Sequence, residues 1–462
     1  MKPGERDGPA GSGPMRREKT MRRRAAAILP FLESVIALGL VVVFISACGS
    51  GDEEEGTANG TAAVTGTAAA MGTGTPTVLA TAGAKAPGVT DTEILLGADA
   101  PLAGVSAAVY SMIPNATNAY FKYINETQGG VCGRKIVYIM EDNQNDPAYG
   151  LEAVRKLVEK DGVLAVVGSL SDDPHAASWD YLNENKVPDL LVSAGAERFH
   201  TDPEGHPWTF QMIPSYVTEA YFYGRYISEN LPGAKVGVLR DVGPSGADGM
   251  KGLKQGLDPS KNQIVSEQSY EQTALSIRSQ VTNLKEDGAE VVIMFADPGI
   301  ASQAIKEAVR LGWHPQSFLS YVNADEMMYQ FAAPQDVEGS ITFQAFKLAS
   351  MRDDPAIAEH WEIMKDYGGP QPTNFSVYAQ LLGELAVEIL NRSCDNLTRE
   401  GLLEATESIH EWHSPLLLDG VNVTFSKTDH LAIQTGRMLR SVMENGKGKW
   451  EYFGPMMRIE EE

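Results

Sequence analysis

The sequence predicts an α/β protein made of two similar halves, each built on a parallel sheet. Three observations carry that reading. Apolar runs of strand length alternate with amphipathic helical stretches, the pattern of strand-helix-strand units. The strand candidates fall into two successive series. The chain has 462 residues, 43% of them hydrophobic, enough for one large or two ordinary domains with buried cores.

From the amino end, the basic residues Arg16, Arg17, Lys19, Arg22, Arg23 and Arg24 stand before the apolar stretch "AAAILPFLESVIALGLVVVFIS". A basic segment, an apolar segment and small residues before a processing point make the layout of a secretory signal. Glu33 splits the stretch and leaves Ser34 to Ile45 as its strongest run, short for a spanning helix of roughly 20 residues. Export followed by cleavage is therefore expected over residues 1–47, and Met15 or Met21 would give a more ordinary signal than Met1. The "ISAC" that follows resembles the lipobox of bacterial lipoproteins, which implies a diacylglycerol on the thiol of Cys48. A plain signal peptide with an incidental cysteine is the alternative. One diacyl group, with an added amide-linked chain in some bacteria, supplies the two or more chains that stable anchoring requires. Residues 48–88 are rich in Gly, Ala, Thr and acid, with almost no large aliphatics and no aromatics. Such a segment buries too little apolar surface to offset its chain entropy and is expected to be a flexible tether, with the folded part beginning near Thr90.

The first strand series is "EILLGADA" (93–100), "KIVYIMED" (135–142), "VLAVVGS" (163–169) and "DLLVSAG" (189–195). The second is "KVGVLRD" (235–241), "IVSEQSY" (264–270), "EVVIMFAD" (290–297) and "SFLSYVN" (317–323), followed by "GSITFQAF" (339–346). Between them lie helical patterns such as "DPAYGLEAVRKLVEKDG", where Leu151, Val154, Leu157 and Val158 recur at helical spacing. Three late helices are expected in "DPAIAEHWEIMKDYGG", "NFSVYAQLLGELAVEILNRS" and "TREGLLEATESI". In the second of these, Tyr378, Leu381, Leu382, Leu385 and Ile389 read as ordinary core packing.

Lys and Arg number 38 against 61 Asp and Glu, a formal net charge of -23. That field repels a phosphate backbone and argues against a nucleic-acid partner. The sequence has no Gly-x-Ser-x-Gly elbow, no phosphate-cradling Gly-x-x-x-x-Gly-Lys-Ser/Thr and no Gly-x-Gly-x-x-Gly after the first strand, so no catalytic residue is nominated. "HEWH" (410–413) is one residue short of the metalloprotease pattern and reads as a surface run. No metal and no cofactor are expected.

In this order of elements, several stretches resemble the branched-chain amino-acid (Leu/Ile/Val) binding protein family, the extracellular solute receptors of ABC importers with the type I periplasmic-binding fold. "GVTDTEILLGADAPLAG" is similar to that family's opening strand and ligand loop, and "YINETQGGVCGRKIVYIMEDNQNDP" to its helix end, Gly-Gly turn and second strand. "KLVEKDGVLAVVGSLSDD" and "NKVPDLLVSAGAERF" resemble the third and fourth strands with their loops, and "DNLTREGL" and "TDHLAIQTGRMLRSV" the C-terminal part. The resemblance implies two doubly wound parallel-sheet lobes joined by three crossovers, with the ligand in the cleft between them. Lobe 1 is expected over 89–212 and 347–415, and lobe 2 over 213–346 and 416–462. A ligand touching both lobes would stabilise a closed form that a membrane partner can distinguish.

On this resemblance the cleft of lobe 1 takes Ser106 and Tyr110 from the first loop, with Val109 as the alternative register for the aromatic. In "GSLSDD" the place where the family presents Ser or Thr to a ligand carboxylate falls on Asp172, with Ser171 beside it. An acid there would repel a carboxylate. The other reading is that Asp172 or Asp173 caps the helix beginning near Pro174. Ser193, Ala194 and Ala196 belong to the fourth loop, whose small residues let backbone approach a ligand. Lobe 2 contributes Tyr216 at the first crossing, Ser245, Asp297 and Tyr321; register places Ile300 where amino-acid binders carry an acid. Asp297 is read either as a solvated strand end or as the partner of a ligand donor, and Tyr321 as a wall of the cleft or as core. The departures at 172, 245 and 300 weaken the case for an α-amino acid as ligand.

Apart from Cys48 the chain has only Cys132 and Cys394. In an exported chain two remaining thiols invite a disulfide, and both are expected on lobe 1; two separate buried thiols are the alternative. The resulting expectation is a monomeric, lipid-anchored substrate-binding protein at the extracellular face of the membrane or in the periplasm. It captures a small polar solute (amino acid, amide, urea-like or aromatic acid) for an ABC permease. The alternative is a ligand-sensing module for a membrane signalling partner.

Overall fold

The structure, a computed structural model, describes residues 86–458. The expected signal segment 1–47, the lipidation site Cys48 and the tether up to residue 85 lie outside the described residues. The last tether positions already join the fold: Ala86 packs on the core, and the Gly88 carbonyl accepts from Leu95 N at 2.7 Å.

Among the described residues twelve strands form two sheets. The first holds β1 (Glu93–Ala100), β2 (Lys135–Asp142), β3 (Ala165–Val167), β4 (Asp189–Val192) and β5 (Thr209–Gln211), ordered β2-β1-β3-β4-β5 and wholly parallel. The second holds β6 (Lys235–Asp241), β7 (Gln263–Tyr270), β8 (Val291–Phe295), β9 (Gln316–Leu319), β10 (Ile341–Gln344), β11 (Thr435–Glu444) and β12 (Lys447–Arg458). Its order is β12-β11-β10-β9-β8-β6-β7. From β7 to β10 it repeats the winding of the first sheet. The hairpin of β11 and β12 is then added antiparallel to β10, so the second sheet is mixed rather than purely parallel.

The strands read from sequence are β1 to β4 and β6 to β10. Residues 93–100, 135–142 and 235–241 form strands over the expected spans, while β3, β4, β8 and β9 are shorter. β5 and the closing hairpin are additions that the sequence reading did not contain.

Helix starts follow from local chemistry. Asp146, Asp297 and Asp354 each precede a proline, and each carboxylate accepts first-turn N–H groups of the helix it opens: 147–155, 298–310 and 355–366. Aspartate satisfies donors that have no intrahelical partner, and proline at the first position gives up an N–H the helix does not use. Neither Asp172 nor Asp173 caps in this way. Their helix begins at Asp172 after Ser171, whose φ of 93° lies in the left-handed region, and Ser171 makes no capping bond.

The late helices 355–366, 374–392 and 399–407 pack on the first sheet. Gly383 permits close approach of the helix 374–392 to Tyr120, since a Cβ there would lie 2.8 Å from that ring. The segment beyond them also belongs to this core: Leu416, Leu417, Val421, Val423, Phe425 and Ile433 are buried in it. Ala432 N donates to Gln211 O at 2.9 Å, which extends the sheet past β5. The expected lobe boundary at 415/416 therefore falls inside a segment packed on lobe 1. The chain crosses between the sheets after β5, after β10 and after Ile433.

Cys132 and Cys394 are joined in a disulfide with Cα atoms 5.3 Å apart, tying the turn before β2 to the end of the helix 374–392. Residues 410–413 are not helical: Glu411 has φ 46°, and His413 Nδ1 is 2.9 Å from Val421 O. Among the described residues no group of His, Cys, Asp or Glu could hold a metal ion.

Candidate ligand cavity

Open doubly wound sheets bind ligands outside the carboxyl ends of their strands, where the strand order reverses. In the first sheet that point lies between β1 and β3, and in the second between β6 and β8. The loops leaving these strands converge on one cavity of about 520 Å³, within the ~300–1,000 Å³ typical of small-molecule sites. Ser106 follows β1, Ser171 and Asp172 follow β3, Ser245 follows β6 and Asp297 follows β8.

Nine of the positions nominated from sequence line this cavity: Ser106, Tyr110, Ser171, Asp172, Ser193, Tyr216, Ser245, Asp297 and Tyr321. Ala194 and Ala196 do not; both are buried behind it with Phe199 and Trp179. The alternative aromatic register, Val109, is buried outside the lining, whereas Ile300 does line the cavity.

Two strained positions shape the lobe 1 wall. Leu191, fully buried in β4, has φ 59° where the register with β5 shifts, and Ser171 has φ 93°. A bulge turns the following side chains, and non-glycine residues at positive φ persist only where the surroundings enforce them. Ser193, just past the bulge, has its Oγ 2.5 Å from Tyr378 Oη. Tyr378, which sequence spacing placed in the core, is buried and also lines the cavity, while Leu381, Leu382, Leu385 and Ile389 on the same helix are core. The separating signal is a hydroxylated ring in the first turns of an otherwise aliphatic stripe.

Asp172 turns inward. Its Oδ1 accepts from Ala196 N at 2.9 Å and its Oδ2 from the Tyr216 hydroxyl at 2.9 Å. Burial pushes its carboxyl up to about 6 against the lowering effect of these two bonds. Because Tyr216 opens the first helix of lobe 2, this bond ties the lobes together beside the first crossing. Other ties across the cleft are Gln272 Nε2 to Asp173 Oδ2 at 3.2 Å, Glu197 N to Asp248 Oδ2 at 2.8 Å, and the ion pair of Lys251 with Glu197.

On lobe 2, Asp241 at the end of β6 accepts from Gly243 N at 2.5 Å and from the Ser245 hydroxyl, and burial raises its carboxyl. Asp297 accepts from Ile300 N at 2.9 Å as a helix cap. Tyr321 stacks on Tyr216 with ring centroids 5.9 Å apart, and its hydroxyl donates to Pro214 O at 3.1 Å. Gly195 lies against this pair; a Cβ there would come within 2.6 Å of both tyrosines. Beneath them the buried Glu219 accepts from Tyr321 N, from Ser320 Oγ at 3.0 Å and from Tyr223 Oη at 2.7 Å, and burial lifts its carboxyl to about 8.

Sequence reasoning did not single out Tyr270, Phe375 or Gln344, which complete the wall. Gln344 ends β10 at the second crossing, a position that becomes visible only when the late helices fold back. The lining residues thus combine aromatic and aliphatic surface with the carboxylates of Asp172, Asp173, Asp241 and Asp297, and none of them is Lys, Arg or His. Such a cavity can hold a solute by burial and hydrogen bonding.

Residues 93–447 match the periplasmic binding protein family. The chain is 28% identical over 223 residues to "Leu/Ile/Val-binding protein homolog 3" of Brucella melitensis, which covers 47% of this chain and 58% of that relative. In structure it resembles a fatty acid ABC transporter substrate-binding protein from Thermomonospora curvata. The TM-score is 0.71 at 24% identity, over 82% of this chain and 95% of the other. It also resembles a branched-chain amino acid ABC transporter protein from Thermus thermophilus with bound valine, with TM-score 0.70 and 20% identity, over 79% of this chain and 98% of the other. These two likenesses establish a shared two-lobed fold. A sequence match extending from β1 into the closing hairpin shows that the chain belongs to the periplasmic binding protein family.

Proposed function

We propose that this protein is the substrate-binding component of an ABC importer, held by a lipid on Cys48 at the extracellular face of the membrane or in the periplasm. It is a binding protein rather than an enzyme, works as a monomer and hands a small polar solute to a membrane permease. The candidate solutes are amino acids, amides, urea-like compounds and aromatic acids. The observation that carries this reading is one cavity lined from both lobes at the reversal points of two equivalently wound sheets. A solute there contacts both lobes and so favours the closed arrangement by its differential contacts. The relatives' names as ABC transporter binding proteins support the same reading.

The test is a thermal-shift screen of the purified full chain against these four solute classes, with solution scattering on any binder. A binder at 100 times its Kd adds ~2.7 kcal/mol of stability and should compact the particle. No shift with any class and no compaction would overturn the proposal.

A further inference from the structure

The cavity also constrains the chemical class of its solute, on the premise that it captures one. Its charged side chains are Asp172, Asp173, Asp241 and Asp297, with no basic side chain among the lining residues. A carboxylate entering this site would meet like charge without a paired cation. Two donors on this side of the site are already in use. Ala196 N and the Tyr216 hydroxyl both donate to Asp172, each at 2.9 Å. The helix that starts at Asp172 carries Asp172 and Asp173 in its own first turn, so its N-terminal dipole already faces anionic charge.

A second observation is a side-chain amide in the lining. Gln344 is 8% exposed and lines the site. Its Oε1 accepts from Ala345 N at 3.0 Å, and its Nε2 carries the N–H groups that can donate. Such an amide N–H suits an acceptor on the solute. The carboxylates of the lining call for N–H donors. One group offers both without negative charge: a carboxamide, or the urea that resembles it. The rest of the wall, with Tyr110, Tyr270, Phe375 and Ile113, suits an apolar or aromatic body.

We infer that the solute is an amide or urea-like compound on an apolar or aromatic body, and that carboxylates are rejected because the lining offers them four like charges and no cation. The inference rests on the solute-capture reading but fails separately from it.

The test is titration calorimetry of the full chain with isosteric pairs: isovaleramide against isovalerate, phenylacetamide against phenylacetate, and leucinamide against leucine. The amide of at least one pair should bind at least about tenfold tighter than its acid. Asp172→Ser removes one carboxylate and frees the Tyr216 hydroxyl, and should raise the acid's affinity at least about tenfold, narrowing the ratio. Asp172→Asn, which removes the charge but keeps an acceptor for Ala196 N, should narrow it in the same direction and carries the test if the serine variant fails to fold. Acids that bind as well as their amides overturn the inference and leave solute capture standing. A ratio unchanged in Asp172→Asn also overturns it. Silence across every pair, with no compaction by any solute, overturns both readings.

Discussion

Glu219 offers the sharpest test of the buried polar cluster beneath the cavity. It sits in the first turn of the helix 216–230, fully buried, with its two oxygens accepting from Tyr223, Tyr321 and Ser320. Burial lifts its carboxyl from 4.5 to about 8, the hydrogen bonds opposing that rise only in part. Between these values the folded state keeps a proton that the unfolded chain has released. The resulting stabilisation is full below pH 4.5 and is lost as the pH rises through about 8. A rise of this size corresponds to ~5 kcal/mol at most, at 1.36 kcal/mol for each pKa unit. Glu219→Gln removes the titration while keeping the contacts: its Oε1 still accepts from Tyr223 and Tyr321, and its Nε2 can donate to Ser320 Oγ. Denaturant unfolding at pH 5 and pH 8 is the assay. The wild type should lose a few kcal/mol more than the variant across that interval, and the variant should be the more stable of the two at pH 8. Parallel curves would refute the argument that this carboxylate is desolvated in the fold.

Two further perturbations test the scaffold. The Cys132–Cys394 disulfide spans a sequence separation of 262, and loop-closure entropy for a loop that long gives ~5 kcal/mol. Replacing both cysteines by serine should lower the unfolding free energy by about that amount, and reductant should then have little further effect on the unfolding of the variant. Gly252→Ala would place a Cβ 2.1 Å from the Val217 carbonyl where the helices 244–256 and 216–230 touch. A loss of about 1–3 kcal/mol is expected from forcing these backbones apart, read from chemical denaturation.

Much of the sheet architecture was legible because buried parallel strands are nearly continuous apolar runs, as in "KIVYIM" or "VVIMF". β5 was not, since Thr209–Gln211 is too short to carry a period and owes its place to Asp189 and His430 on its neighbours. The hairpin of β11 and β12 was hidden by its edge position: Arg437, Arg440, Lys447 and Lys449 interrupt the apolar pattern. In the site, strand ends and loop serines were readable from element order. What could not be read was the direction of side chains. Asp172 read either as a ligand contact or, with Asp173, as a cap of the helix near Pro174, yet Ala196 N and Tyr216 claim its carboxylate. Gln344 and Tyr378 reach the cavity through contacts between residues far apart in the chain.

The position of the third crossing has a consequence for biogenesis. Ile433 still packs in the first core, and the second sheet is finished only by the strands that follow it. A chain released amino end first therefore completes neither lobe until its last segment emerges. Until then β10 presents an open edge, and Cys132 waits for a thiol that appears 262 residues later. Neither half can therefore close on itself early, and assembly of the scaffold waits on nearly the whole chain.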